Sequence, residues 1–252
     1  MKKILITTPV YQNIKIFKEY LWSLNRLEIP EGYEIHKYFY LYNANNIKKF
    51  LKFNEYEIFN NEIELKKQDT DYIWKQKNYD AISQMRTKAL VKAREENYDY
   101  IFSVNSDIIL HKKTLIDLIS ENKEIISKIY WTSYDKENPW NMIPNCYDER
   151  DRNHKMIYRN PLIHYKFIGT YEVGVTYGAT LISSKVFNEP LIDYYPIKVL
   201  SSSFLEDYSF CVKCKCIFPK LKIYINTLHP GKHLCTEEDY KNWIDWEKKE
   251  WN

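Results

Sequence analysis

Apolar and β-branched residues gather along this chain in short runs, each followed by a polar segment or by apolar positions at helical spacing. Residues 3–8 (KILITT) form the first run, closed by Pro9, and Ile14, Phe17, Leu21 and Leu24 then recur every three to four positions. That order predicts a buried strand, a loop and an amphipathic helix. Pro30-Glu31-Gly32 breaks the pattern, residues 33–42 read as a second strand, and a polar loop at 43–46 follows. Residues 56–59 suggest a third strand, and the polar stretch 66–77 a loop. Asp80 is placed to cap a helix whose apolar positions are Ile82, Met85, Ala89 and Ala93; Arg86 and Lys88 lie off that stripe, as on a solvated helix face.

A strand at residues 100–105 then runs into Asn105-Ser106-Asp107 before Ile108-Ile109-Leu110 resumes the apolar pattern. These three polar residues suit a turn. They also place an acid at the carboxyl end of a buried strand, where open α/β sheets bind ligands and where an unpaired carboxylate is costly. Leu115, Leu118 and Ile119 mark a further helix, and residues 124–134 a further strand. The order β-α-β-β-α-β-α-β predicts a mainly parallel sheet with helices on both faces.

Beyond residue 134 the periodicity fades. Residues 139–161 read as a long surface excursion, and 171–187 as a strand-like pattern carrying Gly174 and Gly178, glycines that signal a bulge or a close approach by a ligand. Glu206 and Asp207 open a helix with Phe210, Cys211, Cys214, Ile217 and Phe218 on its apolar face; two acids at a helix start also complement the helix dipole. A last strand at 221–226 delivers His229-Pro230-Gly231-Lys232-His233, and 237–251 form an amphipathic tail with Tyr240, Trp243 and Trp246 inward.

Composition narrows the classes. With 252 residues and 44% hydrophobic content the chain can build one large α/β core, and a net charge of +3 from 37 basic and 34 acidic residues is too small to argue for nucleic acid. Five cysteines, at 146, 211, 214, 216 and 235, do not pair off as a disulfide framework. Cys211 and Cys214 fall on the apolar helix face, which favours packing over zinc. The run after Met1 is too short for a secretory signal, and no stretch has the length of a membrane span. The expectation is a cytoplasmic protein, free or peripheral at the membrane face.

The order of parts resembles a GT-A glycosyltransferase of the family-2-like, nucleotide-sugar-dependent kind. Five features carry the resemblance: Thr8-Pro9-Val10-Tyr11 ending the first strand, Arg86 on the helix before the central strand, Asn105-Ser106-Asp107 at the place of an Asp-x-Asp motif, Glu206-Asp207 opening a helix, and a histidine, His229 or His233, leaving the last strand. The implied fold is a Rossmann-like three-layer α/β/α domain over 1–235, its mostly parallel sheet joined by a small antiparallel portion on the acceptor side. Residues 1–110 would form the nucleotide-sugar half and 111–235 the acceptor half, with an insertion at about 135–165 and a tail at 236–252.

By the same resemblance Asp107 and a histidine from 229–233 would hold Mn²⁺ or Mg²⁺. Thr8, Pro9, Tyr11, Asn43, Asp69, Arg86, Asn105 and Ser106 would meet a UDP- or GDP-sugar, with Arg86 or Lys232 adding positive charge near the diphosphate. Asp207 would be the general base of an inverting transfer, with Glu206 orienting acceptor or base. Tyr177 and Gly178 would face an acceptor that is a glycan, a protein or a modified nucleic acid, and a homo-oligomer fits the pattern. Asn105 departs from the family's usual first Asp and removes one charge from the metal and ribose site. Two rivals stand beside this reading. A nucleotidyltransferase would carry a Gly-rich loop after the first strand, and residues 7–13 contain no glycine. A catalytically degenerate carbohydrate- or nucleotide-binding module of the same fold would be consistent with Asn105.

Overall fold

The first strand is apolar on both sides of its pleat, and both sides are covered. In the computed structural model, which describes residues 1–42, 44–59, 76–133, 141–150, 156–197, 206–234 and 236–251, β1 (Lys2–Val10) sends Leu5 into one hydrophobic core and Ile4 and Ile6 into another on the opposite face. A strand buried twice over reads as a continuous apolar run rather than an alternating one. It is followed by α1 (Ile14–Asn25), capped by the Asn13 side chain on the Lys15 N–H, then β2 (Tyr33–Leu41), β3 (Tyr56–Ile58), α2 (Gln76–Glu95), β4 (Tyr100–Val104), β5 (Ile108–Ile109), α3 (Thr114–Ser120) and β6 (Ile125–Thr132). Short strands β7 (Ile143–Pro144), β8 (Cys146–Tyr147), β9 (Glu149–Arg150) and β10 (Met156–Ile157) precede β11 (Thr170–Val173), β12 (Val175–Thr176) and β13 (Ala179–Ser183). The chain continues through α4 (Ser184–Phe187), α5 (Glu206–Ile217), β14 (Ile223–His233), α6 (Glu237–Asn242) and α7 (Lys248–Trp251).

The main sheet has the order β11-β14-β6-β13-β4-β1-β2-β3, with β5 added to β14 and β7 to β6. Strands β4, β1, β2 and β3 are parallel, as are β6 and β14, but β13 runs antiparallel between β4 and β6. The 171–187 pattern does not form one strand but splits into β11, β12, β13 and α4, and β13 takes the place between β4 and β6. Helices α2 and α5 contribute Met85, Ala89, Leu90, Phe210, Cys211 and Cys214 to the core on one face. Helices α1 and α3 contribute Phe17, Tyr20, Leu115 and Leu118 to the other, giving three layers.

Four local expectations are corrected. Asp80 lies within α2 and not at its cap; the polar stretch 66–77 lies outside the described residues up to 75, and its last two residues open that helix. Residues 143–148 are not a surface excursion: β7 pairs with β6, β8 pairs with β12, and Asn145, Cys146 and Tyr147 are buried. The Asn145 side chain makes this possible by accepting from the Tyr130 N–H (2.9 Å) and donating to the carbonyls of Lys128 (3.1 Å) and Tyr177 (2.7 Å). Trp246 is 73% exposed, since a π-turn at Trp243–Glu247 widens the tail helix and rotates it outward. Trp243 is buried, donating to Glu19 (2.9 Å) and meeting Trp251 edge to face.

The close approach signalled by Gly174 is made by the chain itself: a Cβ there would lie 1.7 Å from the Asp148 carbonyl oxygen. Gly174→Ala is expected to cost about 3 kcal/mol or more through overpacking of the β8–β12 region. Gly32→Ala, with φ +80° and open space around it, should lose only about 1 kcal/mol. Urea denaturation of both variants measures the contrast, and equal losses would contradict it.

Candidate active site

The carboxyl end of β4 is a turn as well as a site. The Asn105 N–H donates to the Gly178 carbonyl (2.8 Å) and the Ile108 N–H to the Asn105 carbonyl (3.2 Å), so Asn105-Ser106-Asp107 reverses the chain into β5. Strand β5 pairs antiparallel with the end of β14 through Lys232–Ile109 and His233–Ile108, and the Leu234 N–H closes on the Asp107 carbonyl (2.9 Å). The consequence is a side-chain pair, His233 Nε2 lying 3.5 Å from Asp107 Oδ2. Thr132 Oγ1 holds His233 Nδ1 at 2.9 Å and the Tyr130 ring lies 5.1 Å away, so the imidazole is oriented on two sides. Asp107 Oδ1 is buried and has no hydrogen-bond partner among the described residues.

A second cluster lies beside it. Arg86, from α2, is buried rather than solvated: Nη1 donates to Asp207 Oδ1, Nη2 donates to Asn105 Oδ1 (2.7 Å), and Glu206 Oε1 lies 3.9 Å from Nη2. The Tyr194 ring faces the guanidinium at 5.3 Å. Burial works against the charge on Arg86, yet Asp207 and Glu206 hold its pKa above the ordinary value. Burial, then Asp207, pushes the Glu206 carboxyl upward against the pull of Arg86. Burial likewise raises Asp207, with Arg86 opposing. The positive charge expected at the diphosphate is thus engaged with two protein acceptors, Asp207 and Asn105, and lies beside a second acid, Glu206. Lys232 is paired with Glu247 (2.7 Å).

The two histidines part company. His229 Nδ1 lies 3.0 Å from Asp117 Oδ2, and its ring stacks on His111 at 4.3 Å, while His233 meets Asp107. Their separation comes from an irregularity in β14 between Asn226 and Gly231, where His229 adopts φ +49°. The fully buried Lys128 ammonium fixes that bulge by donating to Asp117 Oδ2 (2.8 Å), Asn226 Oδ1 (2.6 Å) and the Leu228 carbonyl (2.6 Å). Burial lowers the Lys128 pKa to about 8, against the attraction of Asp117.

Of the remaining residues, Thr8 is buried and hydrogen-bonded to the Tyr20 hydroxyl, whose pKa burial drives up, with Asp107 adding to the rise. Pro9 lies within β1, and Tyr11 is partly exposed, tilted 5.7 Å from Tyr42. Ser106 is buried. Asn43 and Asp69 lie outside the described residues. Tyr177 packs on Tyr130 at 6.3 Å, and Gly178 (φ +83°) is needed because a Cβ would meet the Tyr130 hydroxyl at 2.2 Å. The room expected there for a sugar is filled by that tyrosine. Sequence reasoning missed Lys128, Asp117, Asn145 and Tyr130. Lys128 carried a signal, since it shares strand parity with the apolar Ile126 and Tyr130.

Asp107 and His233 supply one oxygen and one nitrogen donor, and the orphaned Oδ1 is the kind of buried atom a cation satisfies. Among the described residues no cluster of three or more His, Cys, Asp or Glu side chains adjoins. The pair therefore fits a divalent ion only as a partial shell, to be completed by other ligands.

A three-layer α/β fold, with an acidic turn at the carboxyl end of its central strand and a buried acid pair bridged to that turn by Arg86, has the architecture of a GT-A-like domain. Residues 30–226 match the family model described as glycosyltransferase family 25, N-terminal domain, and the chain belongs to that family. It is similar to procollagen galactosyltransferases 1-A and 1-B of Xenopus laevis, at 28% and 27% identity over 105 residues. That match takes in 38% of this chain and 17% of those proteins, so the chain spans a small part of their length. Among solved structures, S. aureus TarS 1–349 in complex with UDP-GlcNAc superposes with a TM-score of 0.52 at 15% identity, covering 95% of this chain and 60% of that one. A second S. aureus TarS structure gives 0.52 at 17% identity, covering 95% and 38%. At these identities the likeness is one of fold.

Arg86→Met is expected to cost about 3–5 kcal/mol, because it strands two buried acids. Adding Asp207→Asn should recover part of the loss. Both acids bind protons more readily in the folded chain, so their contribution to stability falls as pH rises from the ordinary carboxylate range toward neutrality. Glu206→Gln should flatten that slope, which urea midpoints at about pH 5 and about pH 7 would reveal.

Proposed function

We propose that the chain transfers a sugar from a nucleotide diphosphate sugar to an acceptor hydroxyl, with Asp107 and His233 on the donor side and Asp207 as base. The observation that supports this most directly is the link made by Asn105: two residues from Asp107 along the β4–β5 turn, it bonds Arg86, which bonds Asp207. One turn thereby connects the donor-side acid to the candidate base.

In this reading Asp107 and His233 would hold Mn²⁺ or Mg²⁺, and mixed oxygen and nitrogen donors favour Mn²⁺. Bound there, the ion would neutralise charge building on the leaving diphosphate. Thr132 keeps the His233 ring turned toward Asp107. Thr8, Pro9, Tyr11 and Ser106 line the carboxyl end of β1 and the β4–β5 turn, where nucleotide and ribose would lie. Asp207 takes the acceptor proton as the hydroxyl oxygen attacks the anomeric carbon opposite the diphosphate, giving inversion. Arg86 opposes the rise that burial imposes on the Asp207 carboxyl. Glu206, its carboxyl pushed up by burial and by Asp207, would orient the acceptor or the base.

UDP-sugars are the first donors to try, given the UDP-GlcNAc of the TarS complex, and galactose the first sugar, given the names of the Xenopus relatives. The acceptor class is a glycan, a protein or a modified nucleic acid. A second reading has an observation of its own: Arg86 already occupies Asp207 and Asn105, as in a module that binds donor without turning it over.

Calorimetric titration of UDP, GDP and CDP, with and without Mn²⁺, distinguishes the readings when paired with donor-hydrolysis assays. Asp107→Ala should weaken Mn²⁺-dependent nucleotide binding at least tenfold. Asp207→Asn should keep binding and lower turnover by about 10²-fold or more. Equal turnover by Asp207→Asn and the parent rules out the base assignment, and binding without turnover by the parent selects the module.

A further inference from the structure

Exposed apolar side chains are scattered over this surface, but three of them gather on one short loop. Ile163 (53% exposed), Phe167 (62%) and Ile168 (77%) lie within six residues, around a 3₁₀ turn at Leu162–Lys166. Their exposure is imposed by a fixed backbone. The His164 N–H donates to the Pro161 carbonyl (2.8 Å) and the Phe167 N–H to the His164 carbonyl (3.0 Å). Thr227, in β14, closes the base of the loop: its hydroxyl donates to the Phe167 carbonyl (2.6 Å) and accepts from the Gly169 N–H (2.8 Å), and its own N–H donates to the Gly169 carbonyl (3.0 Å). Between the exposed residues, Tyr165 is buried edge to face against Tyr171 and anchors the turn.

Within the loop the charge has one sign: residues 156–171 contain Arg159, His164 and Lys166 and no acid. Of the flanking acids, Asp148 meets Arg159, Glu172 meets Lys222 and Glu121 accepts from Thr170. Lys166 lies with its ammonium 5.7 Å from the Trp131 ring.

We propose that this tip is a docking point for a bilayer surface bearing anionic headgroups. Three bulky apolar side chains on a rigid turn can enter the headgroup boundary while Lys166 stays at the charged level, which is how peripheral proteins combine shallow insertion with attraction to anionic lipid. The apolar tip offers on the order of a few hundred Å², well short of the roughly 800 Å² per partner of a stable protein–protein interface. Trp131, beneath Lys166, is the penultimate residue of β6 and pairs with Lys232, next to His233. Docking would therefore lay the lipid surface beside the end of the sheet that carries Asp107 and His233.

The test uses the purified full chain with phosphatidylcholine vesicles, with and without about 30% phosphatidylserine, at low and high salt. Co-sedimentation with the anionic vesicles, weakened by salt, is the expected result. The triple change Ile163→Ser, Phe167→Ser and Ile168→Ser should lower binding at least tenfold, and Lys166→Glu severalfold, both with thermal midpoints unchanged because these side chains bury little. Phe167→Trp should show a blue shift in fluorescence on adding anionic vesicles. A parent that stays in the supernatant, or a triple variant that binds as the parent does, overturns the proposal. So does self-association of the parent that the triple variant abolishes, which would make this tip a contact between copies of the chain.

Discussion

One guanidinium holds three elements together. Arg86, carried by α2, is buried against the end of β4 and the first turn of α5, and its partners there, Asn105, Glu206 and Asp207, would be costly to cover without it. Two buried acids share one buried base, and both carboxyls shift upward because burial outweighs the pull of Arg86, with Asp207 adding to the rise at Glu206. The amide at position 105 is intelligible in this light. An aspartate there would set a third anion against one guanidinium, whereas Asn105 accepts a hydrogen bond and adds no charge.

A comparable logic runs through the rest of the carboxyl end of the sheet, where polar side chains take the place of regular pairing. Asn145 binds 143–147 to β6 and to the strand end at Tyr177, turning what would be a loop into part of the sheet. Lys128 does the same for the irregular part of β14 by gathering a carboxylate, an amide oxygen and a carbonyl around one ammonium. Gly174 and Gly178 remove the Cβ atoms that would hold these layers apart. Such groups stabilise a fold only when their partners are complete, so the site inherits its rigidity from networks well outside it.

The three layers and most elements were legible because the strands are buried on both faces and the helices carry clear apolar stripes. The order of strands was not. Nothing local in 179–183 says that this run pairs with β4 on one side and β6 on the other, since pairing partners are chosen by the whole sheet. Arg86 read as a surface residue because helical spacing places it off the apolar stripe, and only Glu206 and Asp207, some 120 positions away, explain its burial. His229 and His233 share a face in a regular strand, and the bulge that separates them depends on the bonds Lys128 makes to Asp117, Asn226 and Leu228, partners that strand parity does not name. Gly178 was correctly marked as a close approach, but the visitor is Tyr130.

The antiparallel β13 has a consequence for the chain as it is made. Strand β4 acquires its second neighbour only when residue 183 has been added, 79 positions after its own last residue, Val104. At about 5–20 residues per second, the parallel block of β1, β2 and β4 waits roughly 4–16 s with an open apolar edge. A free edge of this kind is a template for pairing with other nascent chains. The interval between Val104 and Ser183 is thus the period in which this protein most depends on being kept apart from copies of itself.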